Sequence, residues 1–271
     1  MMSDDLLLEP IALKDAIESG NSLLVDITTA QSYSKHHIPG AIFFDYRHLV
    51  SGIAPSPGTL PTTASISRAL AQAGISKEKP IIAYDDEGNG KASRLLWTLD
   101  ILGFSDLHLI NGGLHAWAQS NLDLEQTANL PAPLKTRALE YDNNKIADKS
   151  FILENIDNPE VIIWDARSAE EYSGQKPRAK RNGHIPGAVN LNWLDTIDMQ
   201  NGLRFKPKQQ LIELLNSKGI TADKTIVPHC QTHHRSAHSS ILLKYLDYQH
   251  VKAYPGSWSE WGNSTDTPIE Q

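Results

Sequence analysis

The sequence predicts an α/β fold of two similar domains, each a parallel sheet flanked by helices on both faces. Three observations carry this expectation. One string of residues occurs twice: Asp26, Tyr33 and His37-Ile38-Pro39-Gly40-Ala41 in the first half answer to Asp165, Tyr172 and His184-Ile185-Pro186-Gly187-Ala188 in the second. Short apolar runs alternate with segments of helical period in both halves, the pattern of a parallel sheet with covered faces. Between the halves, residues 126–145 carry Pro131, Pro133, Asn143 and Asn144 without a sustained apolar period, the composition of an exposed linker.

The elements follow in order. Leu23–Asp26 and Val161–Asp165 read as buried strands, as do Ile81–Tyr84 and Thr225–Pro228. Ser65–Ala73 and Lys208–Ser217 have helical spacing, with Leu211, Ile212, Leu214 and Leu215 on one face of the latter. Gly74 and Gly219 stand where a helix C-terminal cap belongs. Lys91–Leu102 and Ser236–Tyr245 are expected as the helices after the second strands. Tyr to His is four positions in the first copy and twelve in the second, so the second copy carries an eight-residue insertion. Domains are therefore expected at 1–125 and 146–271, joined by the linker 126–145.

Composition narrows the function. With 40% hydrophobic and 21% charged residues the chain has enough apolar material for a core. A net charge of −7 argues against a nucleic-acid binder. The first residues, MMSDDLLLEP, are acidic with an apolar run too short for a signal segment. No stretch approaches the ~20 apolar residues of a membrane span. The expected location is the cytoplasm, which keeps thiols reduced. The single cysteine, Cys230, excludes an intrachain disulfide and multi-cysteine metal sites.

Cys230 lies in the loop His229-Cys230-Gln231-Thr232-His233-His234-Arg235, between a buried strand and a helix. Sites in parallel sheets form where a strand's carboxyl end meets a helix start. Backbone N–H groups turned into such a loop, the helix N-terminus and a nearby arginine all favour a thiolate. The expected site is thus cationic inside an acidic chain, and suits a small anion. An inert buried cysteine and a metal site using His229, Cys230 and the His234/His238 pair are the bland alternatives. The first is opposed by the polar flanks and the second by the want of another cysteine or a nearby carboxylate.

Tyr33 with His37-Ile38-Pro39-Gly40-Ala41, and Tyr254-Pro255-Gly256-Ser257-Trp258-Ser259-Glu260-Trp261, resemble the two signatures of the rhodanese family. Two such domains with the cysteine in the second resemble the thiosulfate and 3-mercaptopyruvate sulfurtransferases. The resemblance implies that Cys230 takes the outer sulfur of thiosulfate, holds it as a persulfide and passes it to cyanide or another thiophilic acceptor, with no cofactor and no metal. It implies donor-binding roles for Arg235, His234, His233 and Thr232. The first domain carries Asp85 where the second has Cys230, and is expected to be inactive.

Departures bear on the donor. Thr232 stands where thiosulfate-specific relatives carry a basic residue, Pro186 where they carry an arginine, and His233-His234-Arg235 is unlike the small loop of mercaptopyruvate-specific ones. The insertion brings Lys176, Arg178, Lys180 and Arg181, which either steer anions or form a solvated loop. A fold-sharing cysteine phosphatase is a rival, although four residues separate Cys230 from Arg235, one fewer than its signature. A non-catalytic sulfur- or redox-binding module is another. A small anionic donor and an outside acceptor are the expected partners, with no nucleic acid, no membrane and no need for a second copy of the chain.

Overall fold

A computed structural model describes residues 6–13 and 20–271 of the chain. Residues 1–5, part of the segment read above against a signal sequence, lie outside the described residues. The chain divides into two compact units.

The first unit is built on a five-stranded parallel sheet. Its strands are β1 (Leu7–Leu8), β2 (Leu23–Asp26), β3 (Ile42–Phe43), β4 (Ile81–Tyr84) and β5 (Leu107–Ile110), ordered β1-β5-β4-β2-β3. Parallel neighbours need crossovers; helices α1 (Ala30–Lys35), α2 (Thr63–Gln72) and α3 (Gly90–Ile101) lie in them, and α4 (Gly113–Gln119) follows β5. β4 is buried along its whole length, as a central strand covered on both faces must be. Ile38, Ile82, Tyr84 and Trp117 lie in one core cluster.

The second unit repeats this plan. Helix α5 (Lys149–Asn155) precedes β6 (Val161–Asp165), α6 (Ala169–Tyr172) and β7 (Val189–Asn190). A short antiparallel pair, β8 (Ile197–Asp198) and β9 (Arg204–Phe205), comes next in the chain but groups with the first unit. Then follow α7 (Lys208–Ser217), β10 (Thr225–His229), α8 (Arg235–Tyr245) and α9 (Ser257–Trp261). The parallel order is β10-β6-β7, and bridges from Val251 to Ile226 and from Ala253 to Ile146 extend it in the same sense as the first sheet. Val227, Trp258 and Trp261 anchor its core.

The strands fall where the apolar runs placed them, β10 running one residue further, to His229. Helix ends shift by one or two residues. Gly74 and Gly219 have φ of 71° and 73°, the left-handed conformation of a helix stop. Residues 126–141 group with the first unit. They are pinned to it by the Asn129 N–H on Tyr33 Oη at 2.9 Å and the Leu134 N–H on the Ala71 carbonyl at 2.8 Å. The units also exchange a segment: Ile197–Phe205 groups with the first and Val50–Leu60 with the second. Among the described residues no helix is long and apolar enough to cross a membrane.

The repeated string explains itself in contacts. His37 stacks on Tyr33 at 3.9 Å and His184 on Tyr172 at 3.6 Å. Each imidazole Nδ1 also bonds that tyrosine's carbonyl, at 2.7 Å and 2.9 Å. The two aspartates differ. Asp26 is bound through one oxygen by Thr28, whose hydroxyl donates at 2.6 Å and whose N–H donates at 2.8 Å. Asp165 is gripped by Arg167, with Nε at 2.9 Å from one oxygen and Nη2 at 2.6 Å from the other. This pair is fully buried, and Arg167 lies 4.5 Å from the Trp258 ring. Arg167→Ala leaves a buried carboxylate without its counter-charge and is expected to cost about 3–5 kcal/mol in urea unfolding; a loss under about 1 kcal/mol would contradict this.

Candidate active site

β10 ends at His229 and α8 begins at Arg235, so residues 230–234 form the strand-to-helix loop that the sequence predicts. Cys230 is at its base and fully buried. Burial pushes its thiol pKa up. The Arg235 guanidinium, the Ser236 hydroxyl and the backbone N–H groups of Ser236 and Thr232 more than offset this and bring it down to about 7. A thiolate is thus far more populated near neutrality than in an ordinary thiol of pKa about 8.5.

The loop is held from the segment that opens α9. Ser257 Oγ accepts the Cys230 N–H at 3.3 Å and the His233 N–H at 3.1 Å, and donates to the Tyr254 carbonyl at 2.9 Å. The Trp258 and Ser259 N–H groups bond the Cys230 and Gln231 carbonyls at 2.9 Å and 3.0 Å. These bonds turn the loop carbonyls away from the sulfur and leave other N–H groups to face it. Gly58 also packs against the loop: a Cβ there would sit 2.3 Å from the Thr232 carbonyl oxygen. Only a residue with no side chain allows that approach.

The four residues expected around Cys230 play different parts. Thr232 contributes its backbone N–H. His233 is buried, has φ of 53°, and its Nδ1 lies 2.8 Å from Ser236 Oγ. With the Ser236 proton directed at the sulfur, that oxygen accepts from His233 Nδ1–H. His234 is partly exposed and 6.3 Å from the Trp193 ring. Arg235 does not reach into the loop with an open fork. Its Nη1 and Nη2 lie 2.6 Å and 3.0 Å from the two oxygens of Glu171. His229, the residue before the nucleophile, is forced to about pKa 4 by burial and is neutral at pH 7.

Glu171, Ser236, Ser257 and Gly58 were not singled out by the sequence reading. Glu171 had a visible signal, because Ser168-x-x-Glu171 is a helix-capping box and the structure forms it. Its further contact with Arg235 spans 64 positions and has no local signature.

The first unit holds the same loop in another chemical state. Asp85, aligned with Cys230, is fully buried, and its carboxylate accepts backbone N–H groups from Glu87 at 3.0 Å, Asn89 at 2.8 Å and Ala92 at 2.9 Å. Burial and the Glu87 charge push this carboxyl up while those N–H groups pull it down, and burial prevails. Gly88, aligned with His233, takes φ of 91° where His233 takes 53°, and the Leu114 N–H bonds the Asp85 carbonyl at 2.8 Å as Trp258 does for Cys230. The loop is thus a nest of donors. One copy fills it with its own carboxylate, the other with a sulfur.

The rhodanese-like domain model matches residues 9–120 and again 149–264. The chain belongs to this family, with the domain present twice. It is 41% identical to a thiosulfate sulfurtransferase of Azotobacter vinelandii over 98% of this chain and 97% of the relative. A 3-mercaptopyruvate sulfurtransferase of Escherichia coli (strain K12) is 34% identical over 90% of this chain and 87% of its own length. Among solved structures, wild-type EanB superposes with a TM-score of 0.88 at 19% identity, covering 98% of this chain and 69% of that one, a likeness of fold.

Alkylation of Cys230 by iodoacetamide is expected to rise with pH through a midpoint of about 7. Arg235→Ala is expected to move the midpoint upward. A wild-type midpoint at the ordinary thiol value, about 8.5, would contradict the account.

Proposed function

We propose that this protein is a thiosulfate sulfurtransferase working through a persulfide on Cys230. The observation that carries the reading is the buried sulfur in a nest of N–H donors with its pKa lowered to about 7. Full-length similarity to thiosulfate sulfurtransferases at about 40% identity supports it.

The chemistry balances without a cofactor. The Cys230 thiolate attacks the outer sulfur of thiosulfate, forming a new S–S bond. The donor's own S–S bond breaks, and sulfite leaves with its electron pair. The negative charge now rests on the terminal sulfur of the persulfide, where the loop's N–H groups stabilise it as an oxyanion hole would. A thiophilic acceptor, cyanide or a thiolate, then attacks that sulfur and releases Cys230 as thiolate. One hard transfer becomes two easier ones because the same thiolate is nucleophile and leaving group. With no second cysteine in the chain, no internal thiol can resolve the persulfide as a disulfide, so the sulfur leaves to an outside acceptor. A reducing compartment such as the cytoplasm suits this chemistry.

Each residue then has a role. Arg235 supplies the positive charge beside the thiolate. Ser236 and Thr232 donate to the sulfur, and His233 orients the Ser236 hydroxyl. His234, partly exposed at the start of α8, meets the incoming anion. The first unit, residues 1–125 in the repeat, is catalytically silent because the Asp85 carboxylate cannot carry sulfur, and the second, 146–271, does the chemistry.

Thiosulfate treatment followed by mass spectrometry is expected to add one sulfur atom to wild-type protein, reversibly with cyanide, and none to Cys230→Ser. Asp85→Ala is expected to keep most of the turnover while losing stability. Absence of the adduct on wild type, or collapse of turnover in a folded Asp85→Ala, would overturn the assignment. Comparing thiosulfate with 3-mercaptopyruvate as donors fixes the preference.

A further inference from the structure

One stretch of the second unit comes from far upstream in the chain. Val50–Leu60 groups with the unit that holds Cys230. It is folded on itself: the Ser51 N–H donates to the Thr59 carbonyl at 2.8 Å and the Gly52 N–H to the Pro57 carbonyl at 3.0 Å. The Thr59 hydroxyl closes it again, 2.7 Å from Ser51 Oγ and 3.0 Å from the Ser56 carbonyl. Within it Ile53 is 71% exposed, whereas Gly58 is buried.

Gly58 meets the nucleophile's loop through backbone alone. A Cβ there would lie 2.3 Å from the Thr232 carbonyl oxygen, 2.6 Å from the carbonyl carbon and 2.7 Å from the Thr232 Cα. All three are backbone atoms, so no side-chain rotation makes room, and the Thr232 backbone itself would have to move. Gly58 is not one of the glycines at positive φ, so space and not backbone conformation excludes a side chain.

The Thr232 backbone is tied to the sulfur. Its N–H is among the groups that favour the thiolate. Its carbonyl belongs to the same planar peptide as the His233 N–H, which donates to Ser257 Oγ at 3.1 Å. Gly58 against the carbonyl and Ser257 on the N–H thus seat one rigid plane, and with it the neighbouring Thr232 N–H. The titratable groups around the thiol are His229, His233, His234 and Arg235 of its own strand and loop, with Glu171 of α6 behind Arg235. Val50–Leu60 contains no titratable residue. A change there that alters the ionisation of Cys230 therefore acts through position and not through charge.

We propose that Gly58 is a positioning residue for the sulfur cradle: its bare backbone lets Val50–Leu60 seat the Thr232 peptide so that the Thr232 N–H faces Cys230. This rests on the sulfurtransferase reading for the use to which the cradle is put. It places part of the control of the nucleophile in a stretch that carries no reacting group.

The test is the pH dependence of Cys230 alkylation by iodoacetamide in the full chain, with a thermal melt of each variant. Gly58→Ala is expected to move the midpoint up from about 7 toward the ordinary thiol value of about 8.5. Alkylation at neutral pH is expected to slow about tenfold and to recover at alkaline pH. Ile53→Ala, in the same stretch but exposed, is expected to match wild type. A Gly58→Ala protein that melts lower yet keeps the wild-type midpoint makes Gly58 a packing residue and overturns the inference, as does a slowing that is the same at every pH. Should Gly58→Ala not fold, Thr59→Val decides, since it removes the hydroxyl contacts to Ser51 and Ser56 and leaves the space at Gly58 open. A smaller rise of the midpoint in Thr59→Val supports the inference, and an unchanged midpoint overturns it. Sulfur loading from thiosulfate is read alongside by mass spectrometry. Wild-type protein that alkylates with a midpoint of about 7 yet takes no sulfur overturns the sulfurtransferase reading and not the role of Gly58.

Discussion

A negative charge on a sulfur with no exposure to water has to be met by donors already in place. That constraint organises the second unit. Free energy lost by burying Cys230 is offset by an arginine, a hydroxyl and two backbone N–H groups, all delivered by the start of α8 and the loop before it. Such a loop keeps its N–H groups inward only if its carbonyls are bound elsewhere, and the Trp258 and Ser259 N–H groups bind them. Ser257, itself at φ of 51°, ties the loop at two points with one hydroxyl. The final signature is thus the back wall of the site, although its residues carry no chemistry of their own.

The first unit supplies an internal comparison. Its loop has a left-handed residue three positions after Asp85, Gly88 at φ of 91°, as the second has at His233, and the same bond from the α4 segment, at Leu114. Gly113, with φ of 56°, stands where the second unit has Ser257. What differs is charge. Thr28 stands for Arg167 and Ser32 for Glu171, and Ser32 Oγ donates to Asp86 at 2.9 Å where Glu171 holds an arginine. The first loop's N–H groups are taken up by the Asp85 carboxyl, and its nearby cation, Lys91, is drawn to Glu87 at 3.0 Å. The nest belongs to the fold, while the reactivity belongs to the sulfur and the arginine that the second copy adds.

Much of this was legible in the sequence, for reasons that can be named. The buried strands were apolar runs because both faces of a parallel sheet are covered, and the repeat fixed their correspondence. Cys230 stood out because polar and basic residues surround it. Arg235 was legible as a charge near the thiolate, but not as one clamped by Glu171, since nothing in the chain between positions 171 and 235 marks the pair. The same holds for Gly58, whose small size answers to a backbone 174 positions away that packs against it. His233 read as an anion contact because of its charge potential; its buried, left-handed conformation turns the ring toward Ser236 instead, and backbone geometry is what a residue string hides best. Thr232 read as a donor contact, and its backbone N–H is among the groups that lower the thiol pKa.

The central claim is that the Cys230 loop is a ready-made cradle for one anionic atom, the role the Asp85 oxygens fill in the first unit. A crystal structure of the protein loaded with thiosulfate tests it most directly. The account predicts a sulfur bonded to Cys230 Sγ that lies within hydrogen-bond reach of the Thr232 and Ser236 backbone nitrogens, with the loop unmoved. A terminal sulfur pointing away from those nitrogens, or a loop that has to rebuild itself to admit the atom, would contradict it.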